Sequence, residues 1–136
     1  MAIAVHDLEA AVDYYRQMYG VEPVHREVIE DQKVSEALIP VGGSLIQLLM
    51  PTSPDSTVAR FLERNGEGMH HVGFEVPDIA AALRHLGEGG AQLIDNAPRR
   101  GSRGAQIAFV HPKGGFGTLV ELVQEGSAEV DIPLTG

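Results

Sequence analysis

The sequence predicts an α+β domain made of two paired βαβββ modules, and three observations predict it. The first is an internal repeat. The segment from Ala2 reads AIAVHDLEAAVDYY and the segment from Gly73 reads GFEVPDIAAALRHL; an offset of 71 residues lays Val5 on Val76, Asp7 on Asp78, Leu8 on Ile79 and Val12 on Leu83. The second is a matching end to each copy. SLIQLL from Ser44 corresponds to TLVELV from Thr118 at an offset of 74, which places Gln47 opposite Glu121. Two matches in the same order at nearly the same offset point to a duplicated unit. The third is the hydrophobic period, which within each copy runs from strand-like to helix-like and back to strand-like.

Each element follows from local chemistry. Residues 2–5 and 70–76 are short apolar runs of strand character. Asp7 and Asp78 are natural helix N-caps, because a short carboxylate accepts the orphan N–H groups of the first turn. Each is followed by a helical stripe: Leu8, Ala11, Val12 and Tyr15 in the first copy, Ile79, Ala82, Leu83 and Leu86 in the second. Gly20 and the Gly89-Gly90 pair end these helices. Strands are expected near 24–30, 34–40 and 44–50, and again near 91–94, 105–111 and 117–123, with hairpin turns at Gly42-Gly43 and Gly114-Gly115.

The chain therefore reads as one domain over 1–136: module one at 1–50, a linker at 51–68, module two at 69–124 and a tail at 125–136. The linker carries a short helix of its own. Asp55 or Ser56 caps it, Val58, Phe61 and Leu62 form its apolar stripe, and Asn65-Gly66 stops it. After Gln124 the patterning fades, and the tail is expected to be loose.

Composition narrows the function. A chain of 136 residues with 43% hydrophobic and 21% charged residues can bury a core without staples. There is no cysteine, so any metal must sit on His, Asp, Glu, Gln or water, which suits harder divalent ions. A net charge of −9 with 5% aromatic residues and no Trp argues against a nucleic-acid partner. No apolar run approaches the roughly 18–20 residues that span a bilayer. No basic-then-apolar leader opens the chain, so a cytoplasmic location is expected and no membrane partner. The one local exception to the acidic balance is Arg99, Arg100 and Arg103, in a Gly/Ser-containing stretch.

Strand alternation sorts the chemistry. In 70–76, Val72, Phe74 and Val76 make the face expected to meet a helix, and His71, Gly73 and Glu75 point the other way. Ile46 and Leu48 share a face that excludes Gln47; Val120 and Leu122 share one that excludes Glu121. If the modules curl toward each other, a Gln, a His and a Glu converge, an oxygen/nitrogen set suited to a divalent ion with open positions. A lone His beside an apolar strand is ordinarily structural, and a lone Gln or Glu at a strand end is ordinarily solvated. The repeat shifts that balance, since Gln47 and Glu121 occupy equivalent places and a buried carboxylate needs a partner. His70 shares the Val72 face and reads as structural.

Several stretches resemble methylmalonyl-CoA epimerases of the vicinal-oxygen-chelate superfamily: HREVIEDQKVSEALIPVG at 25–42, LIQLLMPTSPDSTVARFLERNGEGMHHVGFEV at 45–76 and PRRGSRGAQIAFVHPKGGFGTLVELV at 98–123. The most specific pieces are GEGMHH and PRRGSRG. The resemblance implies a curved, partly open mixed sheet forming a cleft, with helices outside. It also implies metal binding through a His on each module's first strand, a Gln and a Glu. Gln47, His71 and Glu121 match three of those four ligands. The position matching the fourth falls one residue before Met1, where the repeat offset also puts the counterpart of His71. An upstream start, a water or the Met1 α-amino group, or a weakened site would each account for this.

The implied reaction interconverts the (R) and (S) C2 epimers of methylmalonyl-CoA. A proton flanked by a thioester and a carboxylate is removed, the resulting enolate is stabilised by the metal, and a proton returns to the opposite face. Glu36, in VSEALI, matches the family's general base; without the resemblance it reads as a solvent-facing Glu on an amphipathic strand. Glu27 and Glu30 are nearby carboxylates with weaker claims. Arg99, Arg100 and Ser102 are candidates for the coenzyme A phosphates, since Arg pairs with phosphate and glycines let backbone N–H groups approach. The implied cofactor is a divalent ion, cobalt first, with manganese, zinc, nickel and magnesium as alternatives, and the implied assembly is a homodimer. Two other functions stay open: a glyoxalase- or dioxygenase-type metalloenzyme, disfavoured by Gln47, and a non-catalytic small-molecule binder with a degraded metal site.

Overall fold

A computed structural model describes residues 1–126. These residues fall into two compact units, Met1–His70 and a second beginning at His71.

The first unit holds strands β1 (Ala2–Ala4), β2 (His25–Ile29), β3 (Val34–Val41) and β4 (Ser44–Pro51), with helices α1 (Leu8–Tyr19) and α2 (Thr57–Asn65). Its strands lie in the order β2-β3-β4-β1. β1 runs parallel to β4, and the other pairs are antiparallel. Asp7 caps α1 by accepting the Ala10 N–H at 3.0 Å, and Gly20 ends it at φ 65°. Gly42 and Gly43, both at positive φ, turn β3 into β4 as the two-residue hairpin expected of them. α1 seats Leu8 and Val12 on Ala37, Ile39 and Leu48, while α2 seats Val58 and Leu62 on the opposite layer with Ala4, Val34 and Leu49. Both faces of β4 are thus covered by apolar packing. Ser56 caps α2 by accepting the Val58 N–H. Asp55 instead pairs with Lys33 and Ser53, which hold its exposed carboxyl down at about 2.

The second module is β5 (Gly68–Glu75), α3 (Ile79–Glu88), β6 (Arg99–Arg100), β7 (Gln106–Val110) and β8 (Val120–Gln124), in the order β5-β8-β7-β6. Asp78 caps α3 at 3.1 Å from the Ala81 N–H. Ile79 and Leu83 pack on Ala108, Val110 and Leu122. The repeat is written in the pairing register. Ala2 pairs with Gln47 and Leu38 with Gln47 in module one; Gly73 pairs with Glu121 and Phe109 with Glu121 in module two.

Three expectations change. Residues 91–94 form no strand; Leu93 makes one isolated bridge to Val110, and the two-residue β6 lies later, at Arg99–Arg100. The reason is backbone pairing, since the Gly101 N–H donates to the Ala105 carbonyl and brings the arginines alongside β7. Gly114-Gly115 is not a hairpin turn: Pro112–Gly114 is a 3-10 turn within a longer connection to β8. Phe74 is 57% exposed rather than packed under a helix, because α3 lies over β7 and β8. The tail from residue 127 lies outside the described residues. No helix among the described residues is long and apolar enough to cross a membrane.

Gly101 has a steric role. A Cβ there would lie 2.6 Å from Ile107 Cγ2, and Ile107 is 1% exposed. Gly101→Ala is expected to destabilise the protein by about 1–3 kcal/mol through overpacking. A shifted midpoint in urea unfolding, at unchanged slope, would register it.

Candidate active site

In the first unit, Glu36 is the central side chain. It lies on β3 between Ser35 and Ala37 and is 0% exposed. Gln47, across the β3–β4 pair, donates from Nε2 to Glu36 Oε1 at 2.7 Å. That bond fixes the amide, since its N–H side faces the carboxylate and its carbonyl oxygen is left to accept elsewhere. On the β2 side, Glu27 pairs directly with Glu36 in register. His25 Nε2 lies 2.8 Å from Glu27 Oε1, and the ligand atoms of His25, Glu27 and Glu36 all fall within 4.8 Å of one another. A buried carboxylate is therefore flanked by an amide donor on one side and a His-Glu pair on the other. The amphipathic-strand reading of Glu36 does not fit this burial. Glu30, by contrast, is exposed on a 3-10 turn.

In the second unit, His71 and Glu121 come together. His71 is 3% exposed and Glu121 9%, and His71 Nε2 lies 3.5 Å from Glu121 Oε1. The Phe109 ring meets the His71 imidazole edge-on, with centroids 5.4 Å apart. One imidazole nitrogen and one carboxylate, both buried and close, are a donor pair that suits a divalent ion. Glu121 is on the face opposite the helix-packed residues of its strand: Val120 and Leu122 serve the core under α3, and Glu121 does not. His70 points elsewhere, its ring 5.0 Å from that of Phe61, in keeping with a structural role.

The arginine stretch divides. Arg99 lies over the Phe109 ring at 5.3 Å with Asp95 3.4 Å from its Nε. Arg103 is held by Glu125 at 2.9 Å. Arg100 is exposed, and Ser102 begins a one-turn 3-10 segment. Reasoning from sequence missed Phe109, Asp95 and the His25–Glu27 pair. His25 and Glu27 stand two apart on one strand and so share a face, a signal that could have joined them to Glu36.

The comparisons with known proteins bear on the family and the fold. Residues 1–109 match the family model described as the glyoxalase/bleomycin resistance protein/dioxygenase superfamily. A variant of Streptomyces coelicolor methylmalonyl-CoA epimerase, solved with 2-nitronate-propionyl-CoA, is 43% identical, with a TM-score of 0.89 over 96% of this chain and 94% of that one. The ethylmalonyl-CoA/methylmalonyl-CoA epimerase of Cereibacter sphaeroides is 41% identical over 91% of this chain and 94% of its own length. The chain belongs to the methylmalonyl-CoA epimerase family of that superfamily. The human mitochondrial methylmalonyl-CoA epimerase is also similar, 35% identical over 91% of this chain and 71% of its own. Membership gives the two βαβββ modules their fold, that of the solved epimerases.

Proposed function

We propose that this protein interconverts the C2 epimers of methylmalonyl-CoA, or of a close 2-alkylmalonyl-CoA such as ethylmalonyl-CoA, by proton transfer. The observation that carries the reading is Glu36, a wholly buried carboxylate held in place by the Gln47 amide at 2.7 Å. The epimerase activity of its relatives supports it, as does a relative solved with methylmalonyl-CoA that is 43% identical over 97% of this chain.

Glu36 is the proposed base. Its carboxylate takes the C2 proton from a substrate seated within reach, and Gln47 keeps the acceptor oxygen aimed. The proposed metal ligands are Gln47, His71 and Glu121, with cobalt the favoured divalent ion. The donor chemistry fits, being one imidazole, one carboxylate and one amide oxygen, without thiolate. A bound ion supplies Lewis-acid polarisation of the thioester carbonyl, which makes the neighbouring C–H acidic. Arg99, Arg100 and Ser102 are proposed to meet the coenzyme A phosphates. A cytoplasmic homodimer completes the reading.

The test is epimer conversion followed with one epimer of methylmalonyl-CoA. Chelator-treated protein is expected to lose activity and to regain it on addition of Co2+. Full activity after exhaustive chelation would remove the metal from the account; inactivity with every divalent ion would remove the epimerase assignment.

A further inference from the structure

Phe109 sits where several groups of the second unit meet. It pairs with Glu121 in the β7–β8 register and is 7% exposed. Its ring stands edge-on to the His71 imidazole, with centroids 5.4 Å apart and planes at 81°. The Arg99 guanidinium lies over the same ring, 5.3 Å from its centroid. Asp95 ties the arrangement together. Its Oδ2 accepts the Phe109 N–H at 2.8 Å and lies 3.4 Å from Arg99 Nε. Asp95, Arg99, Phe109 and His71 thus form one continuous stack ending at the His71–Glu121 pair.

Module one has no such stack. Its register places Leu38 opposite Gln47 where module two has Phe109 opposite Glu121. Glu36 and Glu27 pair there, where Ile107 and Arg99 pair here. The aromatic and the arginine are therefore not a shared requirement of the fold.

We propose that Phe109 is a positioning residue for His71, and that Arg99 and Asp95 hold Phe109 in that role. The inference rests on the reading of His71 as a metal ligand. Torsion about an imidazole's Cβ–Cγ bond is soft and broadly populated, so a ligating nitrogen needs a wall to stay aimed. Edge-to-face contact supplies one, because the ring quadrupole favours that angle over others. A cation over the ring's face and a carboxylate on its main chain keep the wall in place. His71 Nε2 is thereby turned toward Glu121 Oε1, 3.5 Å away.

The experiment measures Co2+ binding to the full chain by calorimetry, together with the visible absorption of the bound ion. Phe109→Leu keeps an apolar side chain and removes the ring. Its Co2+ affinity is expected to fall about tenfold, as when other orienting partners of metal ligands are removed, with a changed absorption band. Phe109→Tyr keeps the ring and is expected to restore both. Arg99→Ala alters only a half-exposed side chain, so it remains informative if Phe109→Leu does not fold; its affinity is expected to fall about two- to fivefold. Folded Phe109→Leu or Arg99→Ala protein with parental affinity and spectrum would overturn the proposal. His71→Ala separates the two levels. If it loses Co2+ while Phe109→Leu does not, only the positioning role is wrong; if it binds Co2+ as the parent does, the ligand reading fails and the positioning role with it.

Discussion

Glu36→Gln is expected to lower kcat by about 10²–10⁴-fold, the contribution of a positioned base, with little change in KM or in Co2+ affinity. The substitution is nearly isosteric. Glutamine can still accept from Gln47 through its carbonyl, so the 2.7 Å bond and the burial survive. What it loses is the capacity to take a proton. A kcat within a few fold of the parent would assign the base elsewhere, with Glu27, paired with Glu36 in register, the next carboxylate to change.

Gln47→Glu is the second large effect, and its signature is a split. A carboxylate at 47 would remain a good ligand for a divalent ion, so Co2+ affinity is expected to hold or rise. It would also replace the amide donor 2.7 Å from Glu36 with a like charge. Two adjacent carboxylates resist ionising together, so the pKa of one of them is strongly raised. Activity needs Glu36 ionised. The rate at neutral pH is therefore expected to fall about 10–10³-fold and to recover as pH rises. Parental activity at neutral pH would show that Gln47 does not serve Glu36. A loss of both metal affinity and activity would show that the amide matters only as a ligand. Proposed in this way, Gln47 has two jobs, an oxygen for the ion and an N–H for the base, and only an amide can do both.

Much of the candidate site was legible because duplication doubles the signal. Asp7 and Asp78 cap equivalent helices, and a nearly equal offset gives Gln47 and Glu121 equivalent places in the registers of their own modules. Alternation then separated Leu48 and Leu122, which pack under helices, from Gln47 and Glu121 beside them. What was illegible depends on registers that no single segment carries. The Glu27–Glu36 pair needs the alignment of β2 on β3, which the intervening 3-10 turn at Glu30–Gln32 sets. Strand β6 was missed because two arginines lack strand character and pair through their backbone alone. The apolar look of Leu93 and Ile94 suggested a strand that one bridge does not make. Phe109 went unnoticed, because the partners that single it out, His71, Arg99 and Asp95, come from three other segments.

The central claim is metal-dependent proton transfer at C2, and isotope wash-in measures it directly. One epimer of methylmalonyl-CoA is incubated with the protein in deuterated water, with and without Co2+, and deuterium at C2 is followed by proton NMR. The account predicts rapid, Co2+-dependent exchange that Glu36→Gln slows by about 10²–10⁴-fold. No exchange above the protein-free background, with any divalent ion present, would contradict it.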